Sequence, residues 1–184
     1  MRLFAWEMGS VAVLALVACS HGHGSEPVAA SPEPAATTIN QAMLNVFQPA
    51  FQDYGDTAFW AYDEDGNLDA EQLTDDQWAL MQAGAEALRE SAQEFAGYNA
   101  FIVAEAGAEL GFEGQGFVPP EEVQAYVDAN PEGFATMMAY FAAEAEIAAN
   151  AAAERDVETL VAQSDVLYNA CKACHMSFWY PGQR

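Results

Sequence analysis

The chain has 184 residues, 52% of them hydrophobic, which is enough for one folded domain behind a leader. Acidic residues number 28 against 5 basic ones, for a net charge of -23. That surface repels nucleic acid and anionic lipid and argues against both as partners. It favours a partner with a basic docking surface, and it is equally the solvated surface of a salt-adapted protein.

Residues 1–18 read as a secretory leader. Arg2 gives a weakly positive start, offset by Glu7, and Val11 to Val17 form an apolar core too short for a stable bilayer anchor. The leader ends Leu16-Val17-Ala18-Cys19, which resembles a bacterial lipobox. The resemblance implies cleavage before Cys19 and lipidation of that cysteine. Ser20 follows it, which resembles the default for outer-membrane sorting, so the expected address is the cell envelope: periplasmic and held to the outer membrane by lipid alone. Residues 19–36 are rich in Gly, Ser, Pro and Ala and read as a flexible tether. His21 and His23 fall there, where a mobile segment pre-organises no metal site.

Residues 37–184 read as an all-α domain. Ile39, Met43, Val46, Phe47 and Ala50 form an apolar stripe at helical spacing, which predicts a first helix over about Thr38 to Tyr54. Pro49 inside it should kink or split the helix. The acidic connection from Phe59 to Leu73 contains Asp63-Glu64-Asp65-Gly66-Asn67-Leu68, which looks like part of a calcium loop. Aligning Gly66 with the loop glycine puts Ala61 and Gln72 where the first and last carboxylates belong, so calcium is not expected. Thr74-Asp75-Asp76-Gln77 is a capping box, and Trp78, Met81, Ala85, Leu88 and Phe95 continue it as a second helix. The stretch from Gly97 to Ala129 is glycine-rich, with a short helix start at Pro119-Pro120-Glu121-Glu122; it either covers part of the site or elaborates the surface. Asn130 and Pro131 begin a third long helix bearing Phe134, Met137, Met138, Phe141 and Ile147. A fourth starts near Asp156 with the stripe Leu160, Ser164, Leu167, Tyr168, Cys171, Cys174, His175 and Phe178. Pro181 and Gly182 end it. Amphipathic helices in this order predict an antiparallel four-helix bundle.

Cys171-Lys172-Ala173-Cys174-His175 is the attachment signature of c-type haem. The two thiols hold the porphyrin covalently, and the adjacent histidine is the proximal iron ligand. A zinc half-site would want a second ligand cluster, and a thioredoxin-like pair would want βαβ patterning; neither accompanies the motif. With Cys19 lipidated and the other two cysteines on haem, no thiol remains for a disulfide. Lys172 is the only lysine of the chain.

A haem motif near the C-terminus of a helical chain resembles the class II c-type cytochromes, the cytochrome c′ group. The likeness spans about Thr37 to Pro181. It implies a four-helix bundle with one haem c on the last helix, attached to Cys171 and Cys174 and ligated by His175. The group divides at the sixth iron position. In one branch it is empty and binds gases such as nitric oxide; in the other a methionine of the first helix fills it and the protein carries electrons. Met43, on the buried stripe and followed by Pro49 and Trp60, resembles that ligand; Met81, Met137 and Met138 are lesser candidates for it, expected rather to pack in the core. Met176 adjoins His175 and cannot reach the opposite haem face. Tyr168, Phe178, Trp179 and Tyr180 are expected to wall the haem, with Arg155 and Arg184 as partners for its propionates. The expected function is electron transfer rather than catalysis, since a peroxidase would want a distal histidine that the helices lack. The alternative is a five-coordinate protein that sequesters or senses gas. Dimerisation through the early helices is a property of the group that nothing in the sequence decides.

Overall fold

The computed structural model describes residue 35, residues 37–110 and residues 116–183. The leader, Cys19, most of the tether with its two histidines, and Arg184 lie outside the described residues. In chain order the elements are α1 (Ile39–Ala42), a π-helical turn (Met43–Phe47), α2 (Gln48–Ala58), α3 (Asp75–Ala96), α4 (Pro120–Ala129), α5 (Pro131–Glu154) and α6 (Val157–Phe178). Short 3-10 turns sit at Phe59–Ala61, Ala70–Gln72 and Pro181–Gln183. The α1, π and α2 pieces form one continuous rod, so four long helical rods build the bundle and α4 is an addition.

The helix starts are local chemistry. Thr74 accepts from the Gln77 N–H while the Gln77 side chain accepts from the Thr74 N–H, closing the capping box. Asn130 caps α5 through the Gly133 N–H at 3.0 Å, ahead of Pro131. Asp156 caps α6 through the Thr159 N–H and hydroxyl. These bonds hold the Asp156 carboxyl below its usual range. Arg155, at φ 58, makes the left-handed turn between α5 and α6.

Pro49 does not split the first helix. It follows the π turn, in which the Gln48 N–H donates to the Met43 carbonyl five residues back. A proline has no N–H to donate and its ring presses on the carbonyl four residues behind, so the widened turn takes up the disruption. The helix then runs four residues past Tyr54, to Ala58.

The core runs the length of the bundle. Trp78, Met81, Ala85, Leu88, Ala92 and Phe95 line the inner face of α3. Ala142, Ala145, Ala148, Ala149, Ala151 and Ala152 of α5 are buried. With so little side chain on that face, α5 and α3 pack closely. Gly84 brings α3 against α2, where an added Cβ would lie 2.7 Å from the Ala50 carbonyl oxygen. Tyr54 is fully buried, and its hydroxyl donates to the Leu160 carbonyl at 2.6 Å, tying α2 to α6. Burial also pushes that phenol up.

Two apolar or aromatic residues of the long helices, Ile147 and, from the stripe of the last helix, Tyr168, are exposed. Ile147 is 45% exposed, because the alanines flanking it are the ones that face α3. Tyr168 is 57% exposed and stands at an edge of α6. Arg155 pairs with Asp75 at the α5–α6 turn. Sixteen residues of chain put it roughly 24 Å along the helix from Cys171, so it cannot serve a haem there.

The acidic connection closes on itself. The Asp63 carboxylate accepts from the backbone N–H groups of Asp65 and Asn67 at 2.9 and 2.7 Å. These bonds, with the Asn67 side chain, hold it below its usual range. Gly66, at φ 81, supplies the left-handed residue of that turn. Among the described residues, no group of three or more His, Cys, Asp and Glu side chains is placed to hold a metal ion.

The second connection clamps the start of the bundle. The Ile39 and Asn40 N–H groups, which have no partner within their own helix, donate to the Ile102 and Val103 carbonyls at 2.9 and 2.8 Å. Gln124 of α4 fixes that segment in turn, accepting from the Val103 N–H and donating to the Phe101 carbonyl. No described helix is long and apolar enough to cross a membrane.

Candidate haem site

A cavity of about 930 Å³ opens at one end of the bundle, between the first rod, α5 and the last turns of α6. Its size lies at the upper end of ordinary cofactor and ligand pockets. Cys171, Cys174 and His175 all line it, from one face of α6. Met43 lines it from the first rod. Of the other methionines, Met138 and Met176 also line it, whereas Met81 is fully buried in the core and Met137 does not reach it.

Phenylalanines wall much of the space. Phe47 meets Phe141 edge-on at 5.7 Å, and Phe134 is backed at 4.7 Å by Phe101, which does not itself line the cavity. Phe134 in turn meets Phe178 at 5.4 Å. Phe47, Phe134, Phe141 and Phe178 thus give the inner end of the cavity an apolar, aromatic lining. Val103, Phe117, Val123 and Val127 of the second connection and α4 close over it. The long connection therefore covers the site.

The end of α6 is built to hold His175. Its carbonyl accepts from both the Trp179 and Tyr180 N–H groups, at 2.8 and 3.0 Å, which ends the helix just past the motif. Trp179 sits edge-on to the imidazole at 5.2 Å and Tyr180 at 6.0 Å. Phe117 packs on both aromatics at 5.1 Å, and the Val118 N–H donates to the Trp179 carbonyl. Of the aromatics expected here, Phe178, Trp179 and Tyr180 wall the cavity, while Tyr168 stands at its exposed rim.

Burial in an apolar place shifts all three groups toward their neutral forms. Burial pushes the Cys171 thiol up to about 11. Burial, with the neighbouring Cys171, pushes Cys174 up to about 12. Both sulfurs are neutral and carry no ionic partner. Burial lowers the His175 imidazole, so it is neutral and offers a nitrogen lone pair. Lys172 is exposed and lines the cavity, and it brings the one positive charge among the cavity-lining residues.

Two thiols three residues apart, a neutral imidazole on the same helical face and an apolar space in front of them fit a covalently held haem. A family model described as Cytochrome C' matches residues 71–179, more than half of the chain. The chain therefore belongs to the cytochrome c′ family and is a haem-binding cytochrome, with the helical bundle that its sequence predicts. The matched stretch contains Cys171, Cys174 and His175; Met43 and the first rod precede it. Comparisons with curated proteins and with solved structures find no match.

Proposed function

We propose that this protein is a single-haem electron carrier of the bacterial cell envelope, held to the outer membrane through lipid on Cys19 and facing the periplasm. Cys171 and Cys174 hold the haem, His175 ligates its iron, and the Met43 thioether takes the sixth position. The haem supplies one-electron chemistry by alternation of its iron between ferrous and ferric states. The residues supply the rest. A thioether at the sixth position raises the reduction potential and closes the iron to small gases. The phenylalanine lining keeps water from the iron, and the acidic surface as a whole attracts a basic redox partner.

The observation that carries this reading is that Met43 lines the same cavity as the thiols and the imidazole, from a different rod. The competing reading is an open iron that takes up nitric oxide or a similar gas. One experiment separates them. The ferrous wild-type protein is expected to be low-spin and unchanged by carbon monoxide, and Met43→Ala is expected to become high-spin and to bind carbon monoxide. A wild type that binds carbon monoxide would establish the gas-binding reading. A low-spin, inert Met43→Ala would remove Met43 from the iron.

A further inference from the structure

The first rod carries one residue more than a regular helix would need. Its buried positions are Thr38, Ala42, Phe47, Ala50, Tyr54, Gly55, Thr57 and Ala58, and the step from Ala42 to Phe47 is five residues where the steps on either side of it, from Thr38 and to Ala50, are four and three. That long step spans the π turn at Met43–Phe47. One extra residue turns a regular helix by about 100°. Had these residues followed a regular α-helix, the stretch that carries Ile39, Ala42 and Met43 would be out of phase with Phe47, Ala50 and Tyr54 by that angle. Both stretches are anchored separately: the first by the Ile102 and Val103 carbonyls, the second by the Tyr54 hydroxyl on α6.

Pro49 sits at the C-terminal edge of this turn, exposed, and does not line the cavity. In a regular helix its ring would press on the Asn45 carbonyl and the bond between them would be missing. Leu44, Asn45 and Gln48 beside it are also exposed.

We propose that Pro49 imposes the wide turn, and that the residue so inserted keeps Met43 on the cavity while α2 keeps its own face in the core. Pro49 is then a positioning residue for the sixth iron ligand, an inference that rests on the reading of Met43 as that ligand. Two variants of the full-length, haem-loaded protein test it. Deletion of Asn45 alone removes a residue while the proline still enforces a wide turn. Met43 then swings out of phase, and the ferrous protein is expected to lose its low-spin spectrum and bind carbon monoxide. Deletion of Asn45 together with Pro49→Ala permits a regular helix with both faces in phase. That variant is expected to regain the low-spin spectrum and inertness, with a crystal structure showing four-residue hydrogen bonds through this region and Met43 on the cavity. A role limited to stability would give no such rescue.

An Asn45 deletion that stays inert, or a double variant that binds carbon monoxide, overturns the proposal. Should the single deletion fail to mature, the double variant alone still decides, by its spectrum and its backbone. Met43→Ala run alongside separates the two failures. If it binds carbon monoxide while the deletion does not, only the role of Pro49 falls; if it stays inert, the ligand assignment falls and takes this inference with it.

Discussion

Gly55 and Gly84 make a matched pair whose alanine variants should move stability in opposite directions. Each sits inside a helix, α2 and α3 respectively, and each replacement gains about 1 kcal/mol in helix propensity. The difference is space. At Gly55 an added Cβ meets only the Phe51 ring, at 3.5 Å, which is ordinary contact. At Gly84 it meets the Ala50 carbonyl oxygen at 2.7 Å, the Tyr54 nitrogen at 3.3 Å and the Asp53 Cβ at 3.4 Å. The closest two are backbone atoms that no rotamer can move. To bring 2.7 Å to the 3.4 Å of ordinary contact, α2 must retreat by roughly 0.7 Å, and overpacking of that kind costs up to about 3 kcal/mol. Less the propensity gain, Gly84→Ala should destabilise by about 2 kcal/mol, which lowers Tm by about 4–8 °C in a domain of this size. Gly55→Ala should stabilise by about 0.5–1 kcal/mol. Urea denaturation of the haem-loaded protein, followed by far-UV circular dichroism, measures both. A neutral or stabilised Gly84→Ala would refute the claim that α2 and α3 touch backbone to backbone there.

Tyr54→Phe removes one buried neutral hydrogen bond and should cost about 1 kcal/mol, read as a lower urea midpoint at unchanged slope. Asp156→Asn tests the cap of α6. The hydrogen bonds from the Thr159 side chain and backbone lower the carboxyl, so its contribution is present above the ordinary value of 3.8 and is lost as pH falls through the lower folded-state value. The variant should therefore show a shallower fall in stability at acid pH than the parent, in denaturation midpoints measured from neutral pH downward; parallel curves would contradict this.

Features set by a few neighbouring residues were readable in the chain. The capping box at Thr74, the Asn130-Pro131 start and the Asp156 start are encoded within four residues, and the structure has them there. The thiols and the histidine are spaced by the helix itself, so their common face followed directly. What escaped depends on distant partners. Arg155 meets Asp75 across eighty positions, so its side chain is spent far from the site. Phe117, Val103, Val123 and Val127 come from a connection with no helical period across most of its length, and only the fold shows that they close the cavity. Ile147 is apolar yet faces out, because a helix packed through alanine leaves no room on its inner side for a larger residue. The π turn had left a signal, the five-residue step from Ala42 to Phe47 just ahead of a proline, but a period fixed at 3.6 treats that step as noise.

No residue of α3 lines the cavity, and the alanine face of α5 packs against α3 toward the other end of the bundle. The molecule thus divides its labour lengthwise. One half is a framework that stands by dense packing of small side chains. The other is a chamber whose buried lining, Phe134, Phe141 and Val127 among it, is shared with the core, while Met43 and Tyr168 at its edges are not fully buried. Substitutions at those incompletely buried positions should retune what happens at the iron while leaving the architecture upright, which is a physical route by which one scaffold diversifies its haem chemistry.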